Sequence, residues 1–279
     1  MTPARARPEL KPDLIFDVGF HRGEDTVYYL RKGFRVVAFE AHPDLVDAAR
    51  RQFATEIADG RLHLVSGAIT ARGRDSVTFY IHSRMSFWGT TDSHRADRNE
   101  VMGPSVPVTV PAVDFPACLR EHGVPHYLKI DIEAADMLCL EALLDVEPDQ
   151  RPRYVSIEAE AETWSGVVRQ FDLLERLGYT RFEIVQQATI GGRVGRITTR
   201  DRGMIPCRFE MNSSGPFGDD LTGPWLDKAQ AMRRYRRILP ALIAAHAFDQ
   251  LPKGLEIRYL ASALVARPLP GWFDIHAAR

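Results

Sequence analysis

Cysteine is scarce in this chain. The 279 residues hold three, Cys118, Cys139 and Cys207, far apart and in no CxxC spacing. That excludes a disulfide framework and a cysteine-built zinc site, and the usage fits a reducing cytoplasm. An excess of either charge is also lacking: 36 basic residues stand against 37 acidic ones, a net charge of -1. A general nucleic-acid binder would carry a broad basic footprint, so nucleic acid is not an expected partner. No apolar run reaches membrane-spanning length, and the opening MTPARARPELKP has no apolar stretch of signal-peptide type. The expectation is therefore a protein with no transmembrane segment. There is no internal repeat. What is present is 45% hydrophobic and 26% charged residues, enough for a folded, soluble chain with a sizeable core. Association into a homo-oligomer stays open.

The apolar pattern alternates between strand and helix. Residues 14–18 (LIFDV) read as a buried strand, 25–32 as a helix, 35–40 (RVVAFE) as a second strand and 43–57 as a second helix opened by Pro43. Strands follow at 62–66 and, with antiparallel alternation, at 76–82. The stretch 83–111, rich in Gly, Pro, Ser and Thr, reads as a long loop near a ligand. Regularity resumes with a helix at 113–122, a strand at 126–132, a helix at 135–144, a strand at 154–158, a helix at 164–177 and a strand at 180–186. Strands alternating with helices of this length predict an α/β, doubly wound sheet of about six strands, mostly parallel. Residues 188–254, glycine-rich and then helical from 225 to 248 with a kink at Pro240, read as a lid insertion. The strand candidate 255–266 is the expected antiparallel strand that closes the sheet. The whole chain thus reads as one domain, with its core at about 13–187 and 255–267.

Chemistry concentrates at two strand ends. Asp17-Val-Gly19-Phe-His21-Arg-Gly23 is a DxGxxxG turn between the first strand and first helix. Glycine there lets backbone approach a ligand, and the helix start offers free N–H groups. GxGxxG, the dinucleotide spacing, is absent, which favours S-adenosylmethionine over NAD. Glu40, ending the second strand, suits the ribose hydroxyls of either cofactor. On the 126–132 strand, Lys129, Asp131 and Glu133 share one face at its carboxyl end, where open α/β sheets place ligands. Carboxylates there can stabilise a sulfonium, and Asp131 is the first candidate for a base on an acceptor hydroxyl. Lys129 either orients the acceptor oxygen or holds Asp131 ionised. Glu158 and Glu160 with Asp131 form a weaker candidate oxygen site for Mg²⁺, the competing reading being a solvated helix start. Trp88, in Trp88-Gly-Thr-Thr91, either stacks on a ring of cofactor or substrate or anchors its loop. Arg208 belongs to an arginine-rich stretch, 191–208, suited to anion contact, and Arg233, Arg234, Arg236 and Arg237 form a second cluster. A solvated face, an acidic substrate and a membrane surface all remain readings of the latter.

In order along the chain, DVGFHRGEDTVYYLRKGFRVVAFEAHP (17–43), SGAI (66–69), WGTT (88–91), HYLKIDIEAAD (126–136), RPRYVSIEAE (151–160) and SSGPFGDDLTGPW (213–225) resemble the FkbM-type S-adenosylmethionine-dependent methyltransferases. The resemblance implies a class I methyltransferase (Rossmann-like) fold, S-adenosylmethionine as donor and O-methylation of a small-molecule acceptor, a sugar or secondary metabolite. It implies a cofactor turn at Asp17, Gly19 and Gly23, a ribose contact at Glu40, adenine near Gly67 and Ala68, and Asp131 at the reacting centre; His21 and Thr26, beside these glycines, are further candidates for cofactor contact. The chain departs from the family pattern at Phe20-His21, where Ala-Asn is common, and at Ala134, where KIDxEG has glycine. Neither change removes a carboxylate, so an active enzyme is the favoured expectation. A catalytically inactive cofactor-binding scaffold of the same fold is the alternative.

Overall fold

The computed structural model describes residues 7–100, 103–132, 135–159, 163–249 and 272–279. Strands β1 (Leu10–Val18), β2 (Arg35–Glu40) and β3 (Leu62–Ser66) alternate with helices α1 (Glu24–Arg31), α2 (Pro43–Gln52) and α3 (Ala54–Ala58). Then come β4 (Ala68–Ile69), β5 (Ser76–His82), α4 (Ser93–Asn99), β6 (Ser105–Val113), α5 (Phe115–His122), β7 (Val124–Ile130) and α6 (Asp136–Ala142). The remainder is β8 (Tyr154–Glu158), α7 (Trp164–Arg176), β9 (Arg181–Gln186), β10 (Val194–Thr198), β11 (Met204–Arg208), α8 (Lys228–Asp249) and β12 (Phe273–Ala278).

Seven strands form the main sheet in the order β3-β2-β1-β7-β8-β12-β9, parallel except for β12, which runs antiparallel to both neighbours. The chain winds outward from β1 in one direction and from β7 in the other. The β1/β7 boundary is therefore the topological switch point, the crevice where a doubly wound sheet binds its ligand. This is the α/β, Rossmann-like, doubly wound architecture expected from the sequence. Even-numbered β1 residues, Phe16 and Val18, pack with Leu128, Ile130, Val155, Ile157 and Ile275 against α5 to α8. The opposite face buries Ile15, Tyr127 and Tyr154 beneath Tyr28 and Tyr29 of α1 and beneath Phe217, whose ring stacks on Tyr127 at 4.1 Å.

Two expectations change. The antiparallel strand that completes the sheet is β12, 273–278; the candidate at 255–266 lies outside the described residues. Among the described residues the main sheet has seven strands, and β12 is not a sequence candidate because FDIHAA, with an aspartate and a histidine in six residues, does not read as a buried strand. The supposed loop 83–111 contains α4 and most of β6, which pairs antiparallel with β5. Prolines disguise β6. Pro107 stands opposite Tyr80, whose N–H and carbonyl both bond Thr90 on the other side, so the ladder asks no N–H of Pro107. The described part of the 188–254 insertion lies between β9 and β12 in the chain: β10 and β11 form a hairpin, residues 213–220 cover the tyrosine face of the sheet, and α8 buries Ala231, Tyr235, Leu239 and Leu242 in the opposite core.

Candidate functional site

The turn after β1 is shaped by glycines that no other residue can replace. Gly19 has φ +93°, and a Cβ there would stand 2.0 Å from the Asp131 carbonyl oxygen; Gly23, at φ +83°, caps α1 with rings of Phe20 and Phe53 against it. His21 also adopts a positive φ, +53°. Its backbone N–H donates to Glu40 Oε2 at 2.7 Å, while His42 N–H donates to Glu40 Oε1 at 2.8 Å. Glu40 thus ties together the turns that follow β1 and β2. Burial pushes its carboxyl above the usual range, against these two hydrogen bonds. The Gly67 N–H donates to the Glu40 carbonyl at 2.9 Å, which brings Gly67 and Ala68 beside the same strand end. The His21 ring reaches Glu24 Oε1 at 3.1 Å and Ser86 Oγ at 2.8 Å, linking the turn to the loop that carries Trp88.

Beneath the turn lies a charge cluster. Lys129, with its side chain 4% exposed, sits between Asp17 (3.3 Å), Asp25 (3.4 Å) and Asp131 (3.4 Å), and its Nζ donates to the Gly19 carbonyl at 3.0 Å. Desolvation opposes its charge, but the three carboxylates hold the ammonium well above its ordinary range. Asp17 is fully buried; desolvation raises it to about 6 despite Lys129 and the 2.7 Å hydrogen bond from Thr26 Oγ1. Thr26 and Lys129 therefore spend their polar groups on the turn itself. Asp25 accepts from Ser213 Oγ at 2.6 Å and Ser214 N–H at 2.8 Å, fastening the 213–220 segment to the start of α1. Asp220 of that segment accepts from Tyr28 Oη at 3.0 Å and pairs with Lys32, and Asp219 accepts from Tyr154 Oη at 2.8 Å.

Asp131 follows β7 with its side chain 40% exposed, the open member of the cluster. Beyond it stand Glu158, ending β8, and Asp274 of β12, which are direct cross-strand partners. Asp136, at the start of α6, accepts from the Ile132 N–H at 3.1 Å and is raised to about 7 by burial. Glu133, Ala134 and Glu160 lie outside the described residues. Among the described residues no group of three or more His, Cys, Asp or Glu could hold a metal ion. Trp88 packs edge-on against His82 with centroids 5.3 Å apart, and Gly89 lies against the Phe79 ring, so the WGTT loop is seated on β5. Arg208 is exposed on β11, whose Pro206 carbonyl accepts from Arg31 in the last turn of α1. Asp25, Asp136 and Asp274 escaped the sequence reading. Asp25 and Asp136 look like ordinary first-turn helix acids, and Asp274 belongs to the strand that was missed.

The residues present suit a cationic nucleoside donor: a carboxylate oriented by two backbone N–H groups at one side of the glycine turn, and an open acid at the other. No curated protein matches the sequence. Among solved structures, precorrin-6y C5,15-methyltransferase from Geobacter metallireducens GS-15 aligns at 14% identity and TM-score 0.34, over 73% of this chain and 78% of that one. An O-methyltransferase from Bacillus cereus in complex with SAH aligns at 12% identity and TM-score 0.32, over 70% and 71%. The assignment rests on neither, because the sequence profile described as "Methyltransferase FkbM domain" matches residues 17–180, more than half of the chain. The chain belongs to the FkbM methyltransferase family, enzymes that use S-adenosylmethionine as methyl donor.

Proposed function

We propose that the protein transfers the methyl group to an oxygen of a small polar acceptor, a sugar or secondary-metabolite hydroxyl, at the crevice between Glu40 and Asp131. The observation that carries this reading is the pairing of a ribose-type carboxylate, Glu40, with an open acid, Asp131, across the switch point of the sheet. S-adenosylmethionine supplies the electrophilic methyl. Asp17, Gly19, His21, Gly23 and Thr26 shape the turn that receives it, Glu40 accepts from its ribose hydroxyls, and Gly67 and Ala68 border the adenine. Asp131 receives the hydroxyl proton, directed by Lys129. Holding oxygen, methyl and sulfur in line supplies much of the acceleration, so groups that fix the acceptor, among them Trp88 and Arg208, set specificity. Mg²⁺ has no support in the described side chains, and the reading does not need it.

The test is methyl transfer from labelled donor to a panel of sugars, hydroxylated secondary metabolites and amines, with product methylation mapped by NMR. O-methylated product, reduced at least 100-fold by Asp131→Asn, is expected. N-methylated product alone would contradict the choice of oxygen.

A further inference from the structure

Glu158 and Asp274 face each other across the β8–β12 ladder, two carboxylates in direct register. Like charges so placed destabilise a sheet. Asp274 is 4% exposed, and neither carboxylate has a hydrogen-bond or ion-pair partner among the described residues. The charges around the pair are known from each packed element. The end of β7 contributes Lys129 and Asp131, α6 contributes Asp136, α1 contributes Asp25, and α4 contributes Arg95. The ammonium of Lys129 is already shared by Asp17, Asp25 and Asp131. His276, two residues along the same face of β12, is buried and pushed down to about 3, and so adds no cation at neutral pH. Burial and the neighbouring acids push both Glu158 and Asp274 well above the usual carboxylate range. A buried and a half-buried carboxyl set side by side, with no ion-pair partner among the described residues, are costly to hold in place, and such cost concentrates at functional sites.

We propose that the Glu158–Asp274 pair is a proton store behind Asp131, discharged when a cationic methyl donor occupies the crevice and refilled when the donor has become neutral. The inference rests on the methyltransferase reading of the same site. In the donor-free protein the pair holds a proton. A sulfonium nearby favours the ionised pair, and that proton leaves to solvent. During transfer the acceptor hydroxyl gives its proton to Asp131, which passes it to the pair. The hydroxyl oxygen forms its bond to the methyl carbon as the carbon–sulfur bond breaks with its electrons going to sulfur. One positive charge disappears from sulfur as one negative charge disappears from the carboxylates, so the crevice begins and ends with the same net charge. Glu158 and Asp274 act through Asp131 and are positioning residues for its proton.

The test needs no acceptor. Titrate the full chain calorimetrically with S-adenosylmethionine, with sinefungin, whose ammonium replaces the sulfonium, and with S-adenosylhomocysteine, which is neutral there. Phosphate and Tris buffers, with different ionisation enthalpies, give the protons exchanged on binding. In wild type the two cationic ligands should release up to about one proton more than the neutral one. That excess should vanish in Glu158→Gln and Asp274→Asn and persist in Asp274→Glu. In wild type it should also shrink as pH rises and the pair ionises unaided, a reading that stands even if a variant fails to fold. An excess unchanged across the variants, an excess constant with pH, or no excess at all overturns the proton store. Failure of all three ligands to bind sinks the donor site itself, which is a different result.

Discussion

Lys129 is the residue on which the buried electrostatics turn, because one ammonium answers three carboxylates. Lys129→Met would strand Asp17 and Asp25 without a cation and should cost about 3–5 kcal/mol in urea unfolding. A loss below 1 kcal/mol would mean that the pairs are not made. Asp17 gives a pH signature. Its carboxyl is raised to about 6 from 3.8, so the folded state binds this proton more tightly than the unfolded chain does. Its stabilising contribution is complete below pH 3.8 and is lost as pH rises through about 6. Asp17→Asn should therefore gain stability relative to wild type between pH 4 and 7, whatever constant cost the lost Thr26 and Lys129 contacts impose. Parallel stability curves for the two proteins would contradict the shift. At this scale much of the site is legible in sequence. Asp17, Gly19, Gly23 and Glu40 declare themselves because a glycine turn between strand and helix has few other uses. The inward roles of Thr26 and Lys129 are not legible, since a strand pattern tells which face a side chain takes and not what it meets there.

Among the elements, β12 decides whether the fold closes. It lies between β8 and β9, with Ile275 and Ala277 fully buried. Deleting residues 272–279 leaves both neighbours with open ladders and should give a chain without a cooperative thermal transition; a truncated protein that melts like wild type would overturn this topology. The strand was hidden because its polar residues, Asp274 and His276, face the same polar row as Lys129 and Ser156, where function rather than hydrophobicity sets the residue type. The βαβ units from β1 to β3 were legible for the opposite reason: their apolar runs are continuous and their breaks are glycine and proline. The 213–220 segment makes a second case. Phe217→Ala removes a ring stacked on Tyr127 and should cost about 3–5 kcal/mol, measured by chemical denaturation. A loss under 1 kcal/mol would show that this segment is a loose cover and not a layer of the core.

Over the whole molecule, composition conceals what the fold creates. A net charge of -1 reveals no preference for any ligand, yet folding gathers Asp17, Asp25, Asp131, Asp136, Glu158 and Asp274 at one end of the sheet, with Lys129 the one lysine of the described residues among them. That excess of acid is suited to a cation and unsuited to a pyrophosphate. The central claim, that the β1/β7 crevice receives S-adenosylmethionine, is tested most directly by calorimetric titration of cofactor-stripped protein with S-adenosylmethionine, S-adenosylhomocysteine and NAD, repeated on Glu40→Ala. Binding of the first two in the micromolar range, at least tenfold weaker in the variant and absent for NAD, is the expected result. Binding of NAD in their place, or donor binding indifferent to Glu40, would contradict it.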